Sequence, residues 1–280
     1  MKVYIPYNNN AECPYRELSF CAVYNYYSSI ENCEVKVLSS TPFSRSAARN
    51  AIFEDEVEDN ETVFFADADI IVPKNQMFEA SEKAEELNEM VLAYDILYKY
   101  NPEETRSYIE TKKLVKSKRK VKFQCSGAFA IPMSLFNEVG GYDERFTKWG
   151  CEDRVFYYMS AFLVGKSTCT RLKGSAFHLY HPKDKDAEKK TLIENTLHRS
   201  YLDSFGISIE SLKKYKEPSK DKIFKLKRKA VNGSKKEILP FIGKEIIKFR
   251  NKRKIVLAIK DSKRYNRLIK SKKFECECVV

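Results

Sequence analysis

Short apolar runs separated by amphipathic stretches set the pattern of this chain. KVYIPY (2–7), VKVL (35–38), TVFFA (62–66) and VLAYD (91–95) are rich in β-branched and aromatic residues and read as strands. Between them lie helical stretches. Residues 14–29 open on Pro14 and carry Leu18, Cys21, Ala22 and Tyr26 at helical spacing, Ser44 is placed to cap SRSAARNAIFEDEV, and a further helix fits residues 74–89. Strands alternating with helices of this length predict an α/β fold built on a mainly parallel sheet flanked by helices, in which ligands gather at the carboxyl ends of the strands.

At one such end stands FFADADIIVP (64–73), where Asp67 and Asp69 interrupt a run otherwise fit for a protein interior. Unpaired carboxylates there would lose several kcal/mol of hydration, so a compensating partner is expected. Two carboxylates at a strand tip suit a divalent cation, which in turn can neutralise a diphosphate. The chain has no GxxxxGK[ST] sequence, so a P-loop is excluded.

Charge divides the chain. Residues 213–280 carry 24 Lys+Arg against 7 Asp+Glu, a surplus of +17, whereas residues 1–212 carry −5, which together give the net +12. With Pro218 and the polar run EPSKDK nearby, this places a boundary at about residue 212. In the tail, IFKLKRKAV, EIIKFRNKRKIVLAI and KRYNRLIKSKK mix basic clusters with apolar groups and are expected to form two or three amphipathic helices. An anionic membrane surface, a nucleic acid, or the body formed by residues 1–212 would each suit such a tail.

The eight cysteines lack CxxC spacing, so neither a zinc ribbon nor a disulfide framework is indicated. No apolar run approaches the roughly 18 residues of a membrane span, and MKVYIPYNNN has no apolar signal core. A cytoplasmic protein is therefore expected, possible attachment to the inner membrane face included. The Lys-, Asn-, Ile- and Tyr-heavy composition suggests a bacterial or phage origin.

The order IPYNN, FSRSAARN, FFADADIIVP, CSGAFAIPMSLFNEVGGYDERFTKWGCEDRVF and FHLYHP, spanning residues 3–182, resembles the GT-A nucleotide-sugar glycosyltransferases. The similarity is to the branch with β-1,4-galactosyltransferases, polypeptide N-acetylgalactosaminyltransferases and chondroitin polymerase. The resemblance implies a GT-A Rossmann-like catalytic domain over 1–212 followed by a mostly helical basic extension over 213–280. It implies transfer of a sugar from a UDP-sugar to an acceptor hydroxyl: of a glycan, a lipid-linked or cell-wall polymer, or a modified DNA base.

By the same resemblance, the D-x-D motif Asp67 and Asp69 with His178 of FHLYHP would hold Mn²⁺ or Mg²⁺, with His181 as the less favoured ligand; an imidazole beside two carboxylates suits Mn²⁺. Pro6, Arg45, Asn50, Asp67 and Gly127 would contact the nucleotide or donor, Arg49 competing with Arg45 for the diphosphate. In the WGxED-like block, Trp149, Gly150 and Glu152 would meet acceptor or donor hydroxyls, and Asp153 would serve as the base of an inverting transfer. The residues alone also allow Glu152 and Asp153 to be acids complementing a helix N-terminus. The chain departs from the family pattern at Ser126, where a second glycine is common, and at Cys151. The insert 101–122 is expected to be a solvated, mobile loop, the alternative being a surface helix. A contrasting function is a non-catalytic GT-A module that binds nucleic acid or membrane through the tail.

Overall fold

The computed structural model describes residues 1–8, 13–147, 151–182, 194–195, 197–198 and 201, together with the backbone of three strands between 246 and 278. In chain order the elements begin with β1 (Lys2–Pro6), α1 (Pro14–Ser28), β2 (Glu34–Leu38), α2 (Arg45–Asn50), β3 (Thr62–Ala66), β4 (Ile70–Ile71) and α3 (Lys74–Leu87). They continue with β5 (Val91–Leu92), β6 (Ile96–Lys99), α4 (Pro102–Thr111), β7 (Lys120–Lys122), β8 (Ala128–Pro132), α5 (Met133–Val139), α6 (Glu152–Leu163), β9 (Thr170–Arg171) and β10 (Ser175–His178). The final strands are β11 (Ile246–Asn251), β12 (Lys254–Ile259) and β13 (Glu275–Cys278).

Six strands form the main sheet in the order β2-β1-β3-β8-β5-β9. The ladders β1/β2, β1/β3 and β5/β9 are parallel, while β8 runs antiparallel to both β3 and β5. The sheet is therefore mixed and mainly parallel, as the pattern of strands and helices predicts. β3 shows why its sequence is apolar throughout. Val63 and Phe65 enter a core with Phe136 and Phe156 of α5 and α6, whereas Phe64 and Ala66 enter one with Val23, Tyr27 and Met77 of α1 and α3. Side chains alternate faces along a strand, so a sheet covered on both sides needs apolar residues at every position.

Local chemistry sets the helix ends. The Ser44 hydroxyl accepts a hydrogen bond from the Ala47 N–H and starts α2, which continues only six residues before a 3-10 turn at Ala51–Glu54. Insert 101–122 is a correction to the expected mobile loop. Asn101 and Glu104 form a reciprocal capping box with Pro102 in the first turn, so the segment folds as helix α4 and then strand β7.

A second sheet, β4-β10-β6-β7, adjoins the first. Only Asp67, Ala68 and Asp69 separate β3 in the first sheet from β4 in the second. Among the described residues no helix is long and apolar enough to cross a membrane.

The expectation of a mostly helical tail is corrected where the tail is described. Residues 246–251 and 254–259 form an antiparallel hairpin, and β13 joins its other edge. Register aligns Lys248 with Glu277 and Arg250 with Glu275. IVLAI is a continuous run of β-prone residues, which favours a strand over a helix.

Candidate active site

The two aspartates after β3 part company because the turn that carries them is tied to both sheets. The Asp67 N–H donates to the Gly127 carbonyl just ahead of β8 (2.8 Å), and the Asp69 carbonyl accepts from the Leu179 N–H just beyond β10 (2.8 Å). Asp67 therefore faces α2, and Asp69 faces the end of β10.

On the α2 side, Asp67 Oδ1 accepts a 2.7 Å hydrogen bond from Arg49 Nη2. The same nitrogen lies 3.5 Å from Asp153 Oδ1, in the first turn of α6. The Arg49 guanidinium is buried and lies 5.0 Å above the Tyr142 ring. Burial alone would weaken its hold on the proton, but Asp153, Tyr142 and Asp67 hold it more firmly charged than usual. Loss of hydration raises the Asp67 carboxyl to about 6, against the opposing pull of Arg49. Glu152 is 2% exposed, and its Oε2 has no hydrogen-bond partner among the described residues. Burial, reinforced by neighbouring Asp153, raises its carboxyl to about 7.

On the β10 side, Asp69 Oδ2 lies 3.0 Å from His181 Nε2 and 3.6 Å from His178 Nε2. Burial would raise the Asp69 carboxyl, but the two imidazoles hold it well below the usual range. Burial lowers His178, whereas the hydrogen bond to Asp69 outweighs burial and raises His181. His181 Nδ1 lies 3.0 Å from the Pro182 carbonyl and Nε2 lies 3.0 Å from Asp69 Oδ2; both partners accept, so each ring nitrogen donates, and a metal ion bound here would take the place of the Nε2 proton. Ligand atoms of Asp69, His178 and His181 all lie within 4.8 Å of one another. One carboxylate and two imidazoles fit Mn²⁺ and its neighbours in the transition series better than Mg²⁺, which favours oxygen donors.

The structure thus groups the expected residues differently from the sequence reading. Asp69 and His178 come together as expected, but His181, the less favoured histidine, completes the group, while Asp67 turns to Arg49. The resemblance favoured His178 over His181; β10 ends at His178, and the following turn brings His181 back. Arg49, the competing arginine, is the one that reaches the acids; Arg45, half-buried, contributes its charge at Asp67 and Glu152. Asn50 commits its amide to the loop after α5, donating to the Tyr142 carbonyl (2.8 Å) and Glu144 Oε1 (2.8 Å) and accepting from the Tyr142 N–H (2.7 Å). Pro6 is buried at the last register position of β1, opposite Leu38. Trp149 and Gly150 lie outside the described residues. Gly127 has φ +105°, and a Cβ there would stand 2.6 Å from Ile70 Cδ1 and 2.7 Å from the Tyr94 hydroxyl, so only glycine lets its carbonyl reach Asp67. Tyr142, which nothing in the sequence marked, supports Arg49.

Residues 107–182 match a family model described as the N-terminal domain of galactosyltransferase. This stretch holds Gly127, Glu152, Asp153, His178 and His181, and over it the glycosyltransferase resemblance is borne out. No curated protein matches the chain. Among solved structures, the chain aligns with a mutant of Drosophila β1,4-galactosyltransferase 7 in complex with manganese, UDP-Gal and xylobiose, at 13% identity over 92% of each chain and a TM-score of 0.42. It aligns with the catalytic domain of the same Drosophila enzyme with xylobiose at 15% identity, again over 92% of each chain, with a TM-score of 0.41. GalNAc-T7 with UDP, GalNAc and Mn²⁺ aligns at 12% identity over 73% of this chain and 48% of its own, with a TM-score of 0.43.

Proposed function

We propose that this chain, which its galactosyltransferase segment marks as a glycosyltransferase, moves a sugar from a UDP-sugar to an acceptor hydroxyl with inversion, using Mn²⁺ held by Asp69, His178 and His181. The observation that carries the reading is the pairing of two clusters across one three-residue turn: a carboxylate with two imidazoles on one side, and Asp67, Arg49, Glu152 and Asp153 on the other.

Bound there, Mn²⁺ would supply counter-charge for the diphosphate of the leaving UDP. The chain's own residues do the rest. Asp153 accepts the proton of the acceptor hydroxyl as its oxygen bonds to the anomeric carbon of the donor and the bond from that carbon to the diphosphate oxygen breaks. Glu152, whose burial raises its carboxyl to about 7, donates a hydrogen bond to a sugar oxygen in its protonated form, since a protonated carboxyl is a donor where a carboxylate is not. Gly127 holds Asp67 by the backbone and keeps the floor of the donor side free of a side chain.

UDP-sugar hydrolysis measured with and without Mn²⁺ tests the reading, and NMR of the transferred sugar's linkage tests inversion. Manganese-dependent turnover with an inverted linkage is expected; no turnover and no manganese-dependent UDP binding would sink the proposal, and net retention would remove Asp153 as the base.

A further inference from the structure

Four acidic or phenolic side chains, Asp67, Glu152, Asp153 and Tyr142, converge on Arg49, the one fully buried cation among the described residues. A cation that only neutralised Asp67 would need one contact. Arg49 Nη2 instead lies between two carboxylates, 2.7 Å from Asp67 Oδ1 and 3.5 Å from Asp153 Oδ1. Those carboxylates come from different elements, the turn after β3 and the first turn of α6, 86 residues apart in sequence.

The guanidinium is itself held in place from below. Its Nη1 donates to the Arg45 carbonyl (3.3 Å), and its plane is supported by the Tyr142 ring, which stacks on Phe156 of α6 at 4.1 Å and 7°. Asn50, the next residue, clasps the Tyr142 backbone from both sides. Two consecutive residues of α2 therefore fix one another's surroundings through a single tyrosine. A lysine would bring a charge to this place but not a planar fork that donates to Asp67 Oδ1 while standing 3.5 Å from Asp153 Oδ1.

We infer that Arg49 is a positioning residue for the transfer: it ties Asp67, on the donor side, to Asp153, the base, and so fixes where the base stands relative to the donor. This rests on the function proposed above. It assigns Asn50 a place in the same device, acting through Tyr142.

The test uses the full chain with Arg49→Lys and Arg49→Met, each alone and combined with Asp153→Asn or Asp67→Asn. Three quantities are read: Tm of the metal-free protein, and kcat and KM for UDP-sugar turnover with Mn²⁺. Arg49→Lys is expected to lower kcat about 100-fold, the cost of a misplaced reacting group, with donor KM within about threefold of wild type. The Tm lost on removing Arg49 is expected to shrink by about half in each double variant, because each removes one carboxylate left without its partner. If Arg49→Met does not fold, Arg49→Lys carries the same cycle. Coupling to Asp67 alone, or a raised KM with unchanged kcat, would overturn the inference and make Arg49 a donor-side residue only. A wild-type chain without turnover would defeat the proposed function, while the Tm cycle would still decide whether Arg49 joins the two acids.

Discussion

At the scale of single residues, the arrangement around the aspartate turn makes two measurable claims. The first concerns His181. With Asp69 and His178 it offers three ligand atoms within 4.8 Å, so Asp69→Asn or His181→Ala should each weaken manganese-dependent UDP binding by at least the roughly 10- to 100-fold that even hydrogen-bonding neighbours of metal ligands are worth. Calorimetric titration of Mn²⁺ and UDP checks this, and unchanged binding in His181→Ala would return the third place to Asp67. The second concerns Glu152, whose folded carboxyl stands at about 7 against an ordinary 4.5. A raised folded value means that the neutral form is favoured in the fold. Its contribution to stability is complete below about pH 4.5 and is lost as pH rises through about 7. Glu152→Gln has no proton to lose. Its unfolding free energy, followed by thermal melts, should gain on wild type as pH rises from 5 to 8, by an amount on the order of 3 kcal/mol at most. A constant difference across that range would show that Glu152 is already ionised and paired.

At the scale of elements, the decisive feature is a short connection between two sheets. Gly127 is its hidden fixture: the residue's carbonyl holds the Asp67 N–H, its φ is +105°, and its missing Cβ leaves room for Ile70 and the Tyr94 hydroxyl, which donates to the Ser126 carbonyl. Gly127→Ala should cost roughly 2–4 kcal/mol through backbone strain and overpacking together, and should lower kcat/KM more than Tm alone would suggest because Asp67 loses its anchor. Thermal melts beside turnover measurements check both parts. Much of this scale was legible beforehand. TVFFA is β3 to the residue, Pro14 and Ser44 mark where α1 and α2 begin, and the alternation of strands and helices gives a mainly parallel sheet. What sequence could not supply was tertiary. Period and propensity place Arg49 on a short helix but do not say that its face meets α6, and they place His178 and His181 three apart but not the turn that reunites them. The insert was misread because charge was weighed above the Asn101–Glu104 spacing, a capping signal visible in the sequence itself.

At the scale of the whole molecule, the chain is two electrostatic bodies in one sequence, residues 1–212 at −5 and 213–280 at +17. The two clusters described above both belong to the first. They carry their own compensation, Arg49 for Asp67 and Asp153, and the imidazoles for Asp69, and draw nothing from the tail among the described contacts. Sugar transfer and attraction to anionic surfaces should therefore be separable. Replacing the basic residues of KLKRK (225–229) and KFRNKRK (248–254) with serine should sharply reduce retention on an immobilised polyanion. Wild-type retention should fall steeply with salt, since each contact releases counterions, while the variant's should be weak at every ionic strength. Manganese-dependent UDP-sugar hydrolysis should remain within about twofold in the same variant, because the two clusters draw their compensating charges from residues 1–212. Turnover that fell in step with retention would show instead that the basic segment completes the catalytic surface, and that the boundary near residue 212 divides charge but not function.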